Sequence, residues 1–310
     1  MEIFRSLVLR LIPLYFIVAT GFVAGRKLKV DRDSIAKLVI FVISPIVVFT
    51  NVSQIEMRKE YLAVPLGFAL LCSFIAVVFL ALARKIGPRV GIVGAVGNLL
   101  SFSAGNANTG YFGMPIALIL FGPDSIGIYI LFCLGFILYE NTVGFYILAR
   151  GTATVEEALR RLVRLPALYA FPAAIAANAA GLKITGVAAD FSAYFRGAYS
   201  VLGVMLVGLG VAEIRTWRFD WKFVLATFLG KFAVWPALVG LFIVLDRGRF
   251  MIFDEQAHRM MLLIATCPLA ANTVAYATLL KTEPEKAGVA VLLSTVFALF
   301  FIPLVVAWVF

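Results

Sequence analysis

The chain has 310 residues and a formal net charge of +10, with 63% hydrophobic residues, 14% charged residues and a mean hydropathy of +1.01. Soluble domains are about 45–50% apolar and about 25% charged, so the composition excludes a soluble enzyme and describes an integral membrane protein. The basic residues are dispersed among short connections rather than clustered on one face, which excludes nucleic acid as a partner.

Windows of about 20 apolar residues predict ten spans, at 5–25, 36–55, 61–83, 95–121, 125–149, 165–182, 192–214, 221–245, 259–280 and 287–309. Glu2 and Arg5 lead directly into the first span, so no cleaved targeting segment is expected. Gly21 to Gly25 supplies the small residues of a close helix contact. In the second span Ser44-Pro45 predicts a kink, and Asn51 and Gln54 beyond it either line a cavity or sit at the outer interface.

The fourth span is interrupted. Gly105, Asn106, Ala107, Asn108, Thr109, Gly110, Gly113 and Pro115 predict a helix that stops near Asn106 and restarts near Gly113, with Pro115 in the first turn. A restart inside the bilayer turns free N–H groups and a positive dipole end toward the gap, an environment for a carboxylate that Asn108 and Thr109 would orient. The fifth span carries Glu140 near mid-membrane, beside Asn141 and Thr142, whose oxygens suit a cation. Val155 to Arg164 places acids before bases, with Glu157 four residues ahead of Arg161, and predicts a short amphipathic surface helix.

In the second half, Lys231 is the mid-membrane base of the eighth span. An ionisable side chain at a helix centre costs roughly 2.5–3.5 kcal/mol, so Glu140 and Lys231 need a partner or water. Whether they form a static bridge or stand apart, their protonation would bias the inward against the outward state. The ninth span repeats the Ala-Asn-Thr of the fourth, Ala271-Asn272-Thr273 after Pro268 matching Ala107-Asn108-Thr109. Interrupted spans at corresponding places in two halves mark the substrate site of an inverted-repeat carrier. Trp221, Trp235 and Trp308 form no cofactor box, Cys72, Cys133 and Cys267 lie within spans, and the one histidine, His258, is expected in a loop. No cofactor and no metal site are expected.

Basic residues crowd the odd-numbered connections: Arg26, Lys27, Lys29, Arg32 and Lys37; Arg84, Lys85 and Arg89; Arg150, Arg160, Arg161 and Arg164; Arg215, Arg218 and Lys222; Lys281 and Lys286. Fewer lie on the other side, where Arg58, Lys59 and Arg196 are counted. This bias puts the odd connections in the cytoplasm and both termini outside a cell membrane. Five spans per half then invert the halves: 1–150, a linker at 151–163, and 164–310.

Asn108-Thr109-Gly110 with Gly113-Met114-Pro115, Ser44-Pro45, and Gly208-Leu209-Gly210 resemble the auxin efflux carrier family, including its prokaryotic members. The resemblance implies an inverted 5+5 repeat with broken helices 4 and 9 crossing, as in sodium/proton antiporter-like and bile-acid-symporter-like folds. It implies a transport domain at 61–149 and 221–310 moving against a scaffold at 5–55 and 165–214, dimeric through the scaffold. It also implies organic-anion substrates such as indole-acetate, malate or malonate. The short central connection departs from the long loop of the plant members.

The resulting expectation is an alternating-access carrier of small organic anions. Asn106, Asn108, Thr109, Gly110, Gly113, Pro115, Pro268, Asn272 and Thr273 would hold the substrate, Glu140, Asn141 and Lys231 would couple it, and Asn51 would line the scaffold side. With one mid-membrane acid, proton coupling or uniport ranks above sodium-coupled symport, and cation/proton antiport is a further alternative. A membrane enzyme would need a nucleophile with a base or clustered acids, and a channel a ring of one charge; the sequence presents none of these.

Overall fold

A computed structural model describes residues 2–54, 63–122, 126–212 and 220–309. Arg58, Lys59, Arg215 and Arg218, which enter the charge asymmetry, lie outside the described residues, as do the side chains of Pro115 and Trp308. Among the described residues all regular structure is helical.

In chain order the helices are α1 (Glu2–Lys27), α2 (Arg32–Ser53), α3 (Ala63–Lys85), α4 (Ala95–Gly105), α5 (Met114–Phe121), α6 (Ile128–Ala149), α7 (Val155–Val163), α8 (Pro166–Ala179), α9 (Val187–Ala212), α10 (Trp221–Phe250), α11 (Glu255–Thr266), α12 (Asn272–Leu280) and α13 (Pro284–Val309). Among the described residues six helices are long and apolar enough to cross a membrane, or seven if the bent pair α7 and α8 counts as one span. The chain is thus a multi-pass membrane protein, but ten crossings are not established. The fourth and ninth predicted spans contain no continuous helix of membrane length, because each is broken at its middle.

Two chemical features shape the long helices. Prolines follow wide, π-type turns at Leu38–Ile43, Thr109–Gly113 and Gly230–Val234, where Pro45, Pro115 and Pro236 open the next regular segment. A wide turn makes room for a ring that would otherwise strike the preceding turn. Close approach is the second. A Cβ on Gly208 would lie 2.0 Å from the carbonyl oxygen of Val18, and one on Gly21 would lie 2.3 Å from that of Met205. α1 and α9 therefore pack backbone to backbone, which only small residues permit.

Contacts sort the connections to opposite ends of the bundle. At one end Thr152 donates to the carbonyl of Leu280 at 2.9 Å, Arg32 pairs with Glu285 at 3.7 Å, and Lys286 pairs with Asp220 at 3.1 Å. At the other, the Asn178 amide donates to Ser53 at 2.9 Å and Gln54 to Ile184 at 3.1 Å. The connector helix α7 starts at Thr154, whose hydroxyl accepts from the N–H of Glu157 at 3.2 Å. Its expected pair, Glu157 with Arg161, is formed, as is Glu156 with Arg160. Ala158 is buried against the protein, while Val155, Leu159 and Val163 are exposed on one stripe.

His258 corrects one expectation. It is not in a loop but in α11 and buried, with Nε2 2.9 Å from the Asp246 carboxylate. Asp254 caps the helix by accepting from the N–H of Ala257 at 2.7 Å, which starts α11 ahead of the purely apolar stretch.

Candidate functional site

The two breaks meet. α4 ends at Gly105, and Asn106 turns extended with φ −112° and ψ 157°. α11 ends at Thr266, with Cys267 extended and Pro268 behind it. Across the gap the N–H of Asn108 donates to the carbonyl of Pro268 at 2.8 Å. Each interruption thereby satisfies a group freed by the other, as backbone at membrane depth requires.

The restart after the first break is a wide turn over Thr109–Gly113, closed by the N–H of Gly113 donating to Asn108 at 3.0 Å. Regular helix begins at Met114, with Pro115 in the first turn as expected. The N–H of Gly110 precedes that closing bond and so belongs to the unsatisfied donors of a helix start. Gly113 is needed for space here and not for an unusual dihedral, and Gly110 for neither. A Cβ on Gly113 would lie 2.1 Å from the Tyr129 hydroxyl and 2.7 Å from Cys267 Sγ, whereas one on Gly110 would meet nothing within 4 Å.

Glu140 ties the breaks together. It is buried in a wide turn of α6, Glu140–Gly144, and its two carboxylate oxygens face different breaks. One accepts from the Asn106 amide at 2.7 Å and the other from the Asn272 amide at 3.4 Å. The same Asn272 nitrogen donates to the Tyr199 hydroxyl of α9 at 2.7 Å, while Asn272 Oδ1 is buried with no hydrogen-bond partner among the described residues. The neighbouring Asn141 accepts from the Tyr276 hydroxyl at 2.9 Å.

A cavity of about 620 Å³ lies over this junction. Asn51, Asn108, Thr109, Gly110, Glu140, Asn141 and Asn272 all line it, which brings most of the sequence-selected residues to one space. Gln54 and Gly110 are exposed at its mouth, at the end of the bundle where α2 stops and α9 begins. The remaining selected residues support rather than line it. Asn106 is fully buried, holding Glu140 with its nitrogen and the N–H of Ala107 with its oxygen at 2.8 Å. Pro268 supplies its carbonyl, and Thr273 is fully buried with its hydroxyl unpartnered among the described residues.

Lys231 is placed apart. It is fully buried in the wide turn of α10, forms no ion pair with Glu140, and its Nζ has no hydrogen-bond partner among the described residues. Its ammonium lies 4.6 Å from the Trp235 ring centroid and 5.8 Å from that of Phe136. Ser44 of α2, read from the sequence as part of a kink, Arg196 of α9, read as a topology charge, and Tyr199 of α9, not selected from the sequence, also line the cavity. Arg196 and Tyr199 sit three residues apart, one face of a helix, and that spacing was the available signal. Among the described residues no group of three or more His, Cys, Asp or Glu side chains is positioned to hold a metal ion.

Residues 199–310 match the Sodium Bile acid symporter family. The match runs from Tyr199 through the second break to the C-terminal residue, just over a third of the chain. No curated protein matches the chain. The Sodium Bile acid symporter match overturns the resemblance to the auxin efflux carrier family. The motifs that carried that resemblance serve needs common to broken-helix carriers: Gly113 and Pro115 shape a restart, Ser44-Pro45 follows a wide turn, and Gly208 admits α1. They report backbone geometry and not lineage.

Proposed function

We propose that this protein is a sodium-coupled symporter of organic anions that works by alternating access, and neither an enzyme nor a channel. Its C-terminal similarity to the Sodium Bile acid symporter family supports the class. The observation that carries the reading is Asn272 beside Glu140: a buried carbonyl oxygen with no donor among the described residues, next to a carboxylate that already receives two amides. A buried acceptor without a partner is costly, and a hard cation satisfies it. In carriers of this design, unwound backbone carbonyls at the breaks complete such a site. Counting carboxylates therefore misleads about sodium, because amide and backbone oxygens do most of the coordination.

On this reading the chain crosses the cell membrane ten times as an inverted 5+5 repeat, with spans 4 and 9 made of half-helices. The cavity mouth faces outside, opposite α7. The half-helix start at Gly110 and the side chain of Asn108 face the anion, and Glu140 and Asn272 face the cation.

The test is uptake of labelled organic anions by proteoliposomes under an inward sodium gradient, a potassium gradient or a pH gradient. Sodium should drive uptake, and Glu140→Gln should raise the sodium needed for half-maximal rate by about tenfold or more. Equal uptake when potassium replaces sodium, or uptake driven by the pH gradient alone, would overturn sodium coupling.

A further inference from the structure

Among the described residues two charged side chains line the cavity, Glu140 and Arg196. The carboxylate of Glu140 is engaged by Asn106 and Asn272 from the two breaks. Arg196 makes no hydrogen bond and no ion pair with any described residue, although it is half-buried in the cavity wall. It stands one helical turn before Tyr199, whose hydroxyl receives the Asn272 amide. An unpaired guanidinium is thus held on the same face of α9 as the group that reaches the junction of the breaks.

We propose that Arg196 anchors the anionic head of the transported molecule, and that the single guanidinium and the apolar wall limit that molecule to one charged head on an apolar body. This inference rests on the organic-anion reading above. A guanidinium presents a planar fork that matches a carboxylate or sulfonate through two parallel hydrogen bonds, and it sheds water more readily than an ammonium. Among the described residues that line the cavity Arg196 is the one basic side chain, and the sodium placed at the junction is already matched by Glu140. Val47, Val48, Ile130, Leu134, Phe136 and Ile137 line the cavity with apolar side chains. A second carboxylate would find no basic side chain to pair with and would lie desolvated against aliphatic side chains. An apolar body instead buries against that wall, and about 620 Å³ is the scale of a pocket that encloses a medium-sized ligand. A compact dicarboxylate would leave the aliphatic surface wet.

The experiment is thermal stabilisation of the purified full-length protein in sodium, titrated with indole-3-acetate, cholate, the uncharged amide of each, and malonate. The expected result is saturable stabilisation by at least one of the two apolar monoanions, and none by its amide or by malonate. Arg196→Gln should weaken that monoanion by about 10- to 100-fold, and Arg196→Lys, which keeps the charge without the fork, by less. Because Arg196 has no hydrogen-bond or ion-pair partner among the described residues, the unliganded melting temperature of Arg196→Gln should equal that of the parent; if it falls, Arg196→Lys carries the test, and parental affinity there overturns the anchor. Undiminished binding by a stable Arg196→Gln also overturns it. Malonate or the amide binding as well as the monoanion overturns the one-headed class. Silence of the parent protein toward every anion overturns the organic-anion reading, and the anchor with it.

Discussion

The backbone N–H of Asn108 lies 2.8 Å from the carbonyl oxygen of Pro268, so the two broken helices complete each other across a sequence separation of most of the chain. Neither group has an intrahelical partner at its break, and lipid offers none. Glu140 reinforces the same junction with side-chain bonds to Asn106 and Asn272. Backbone and side chain thus agree on where the two halves meet, and the cavity lies over that point.

Two glycines a turn apart should respond oppositely to one methyl group. In Gly113→Ala the new Cβ would fall 2.1 Å from the Tyr129 hydroxyl, which is itself fixed by donating to the Thr109 carbonyl at 2.9 Å. Overpacking of this kind costs about 1–3 kcal/mol, and the melting temperature in detergent should drop. Gly110→Ala meets nothing within 4 Å and has no positive φ, so stability should change by less than about 0.5 kcal/mol. Its methyl projects into the cavity wall and should slow transport. Similar melting temperatures for the two variants would contradict the packing described at Gly113.

Lys231 is expected to trade stability for function. Its buried ammonium has no hydrogen-bond partner among the described residues, and its compensation is the Trp235 face at 4.6 Å. A desolvated cation–π contact returns about 2 kcal/mol, less than the several kcal/mol of burying an ammonium. Lys231→Met keeps the length and removes the charge, so its melting temperature should rise while uptake falls. A lower melting temperature would mean that the ammonium is satisfied after all.

The start of α2 gives a pH-dependent prediction outside the bilayer. Asp31 accepts from the Ser34 hydroxyl at 2.5 Å and the Ser34 N–H at 3.1 Å, and these bonds hold its carboxyl below the usual aspartate range. A folded value below the unfolded one, about 3.9, means the contribution is complete above that pH and is lost as pH falls through the depressed value. Asp31→Asn caps the same helix without titrating. The melting-temperature difference between parent and Asp31→Asn should be constant above about pH 5 and move against the parent below that. A difference that does not vary with pH would remove the carboxylate from the cap.

The breaks were legible because membrane helices punish polar and helix-breaking residues, so Asn106, Asn108, Pro115, Pro268 and Asn272 stand out against apolar neighbours. Their division of labour was not. Asn106 and Asn108 differ by two positions, yet one is fully buried holding Glu140 and the other lines the cavity, a distinction set by the direction of an extended residue. Arg196 was hidden for another reason: a basic residue near the end of a span reads as topology, and only the fold shows it in a cavity wall. The distance between Glu140 and Lys231 depends on how α6 and α10 pack, which mid-membrane position alone leaves open. The auxin carrier resemblance rested on short motifs whose glycines and prolines answer to backbone geometry, and the family match of residues 199–310 overturns it.

The bond between Asn108 and Pro268 also has a mechanical meaning. Shearing the two half-helix junctions apart would strand a donor and an acceptor in hydrocarbon, so the junction behaves as a single keystone. The opposite wall, made by Ser44, Thr50 and Asn51 of α2 and Gln54 just beyond it with Arg196 and Tyr199 of α9, is tied to the keystone by the Asn272–Tyr199 contact of 2.7 Å. On the alternating-access reading proposed above, a stroke that spares the keystone opens at that seam, and the Asn272–Tyr199 hydrogen bond is one that it breaks.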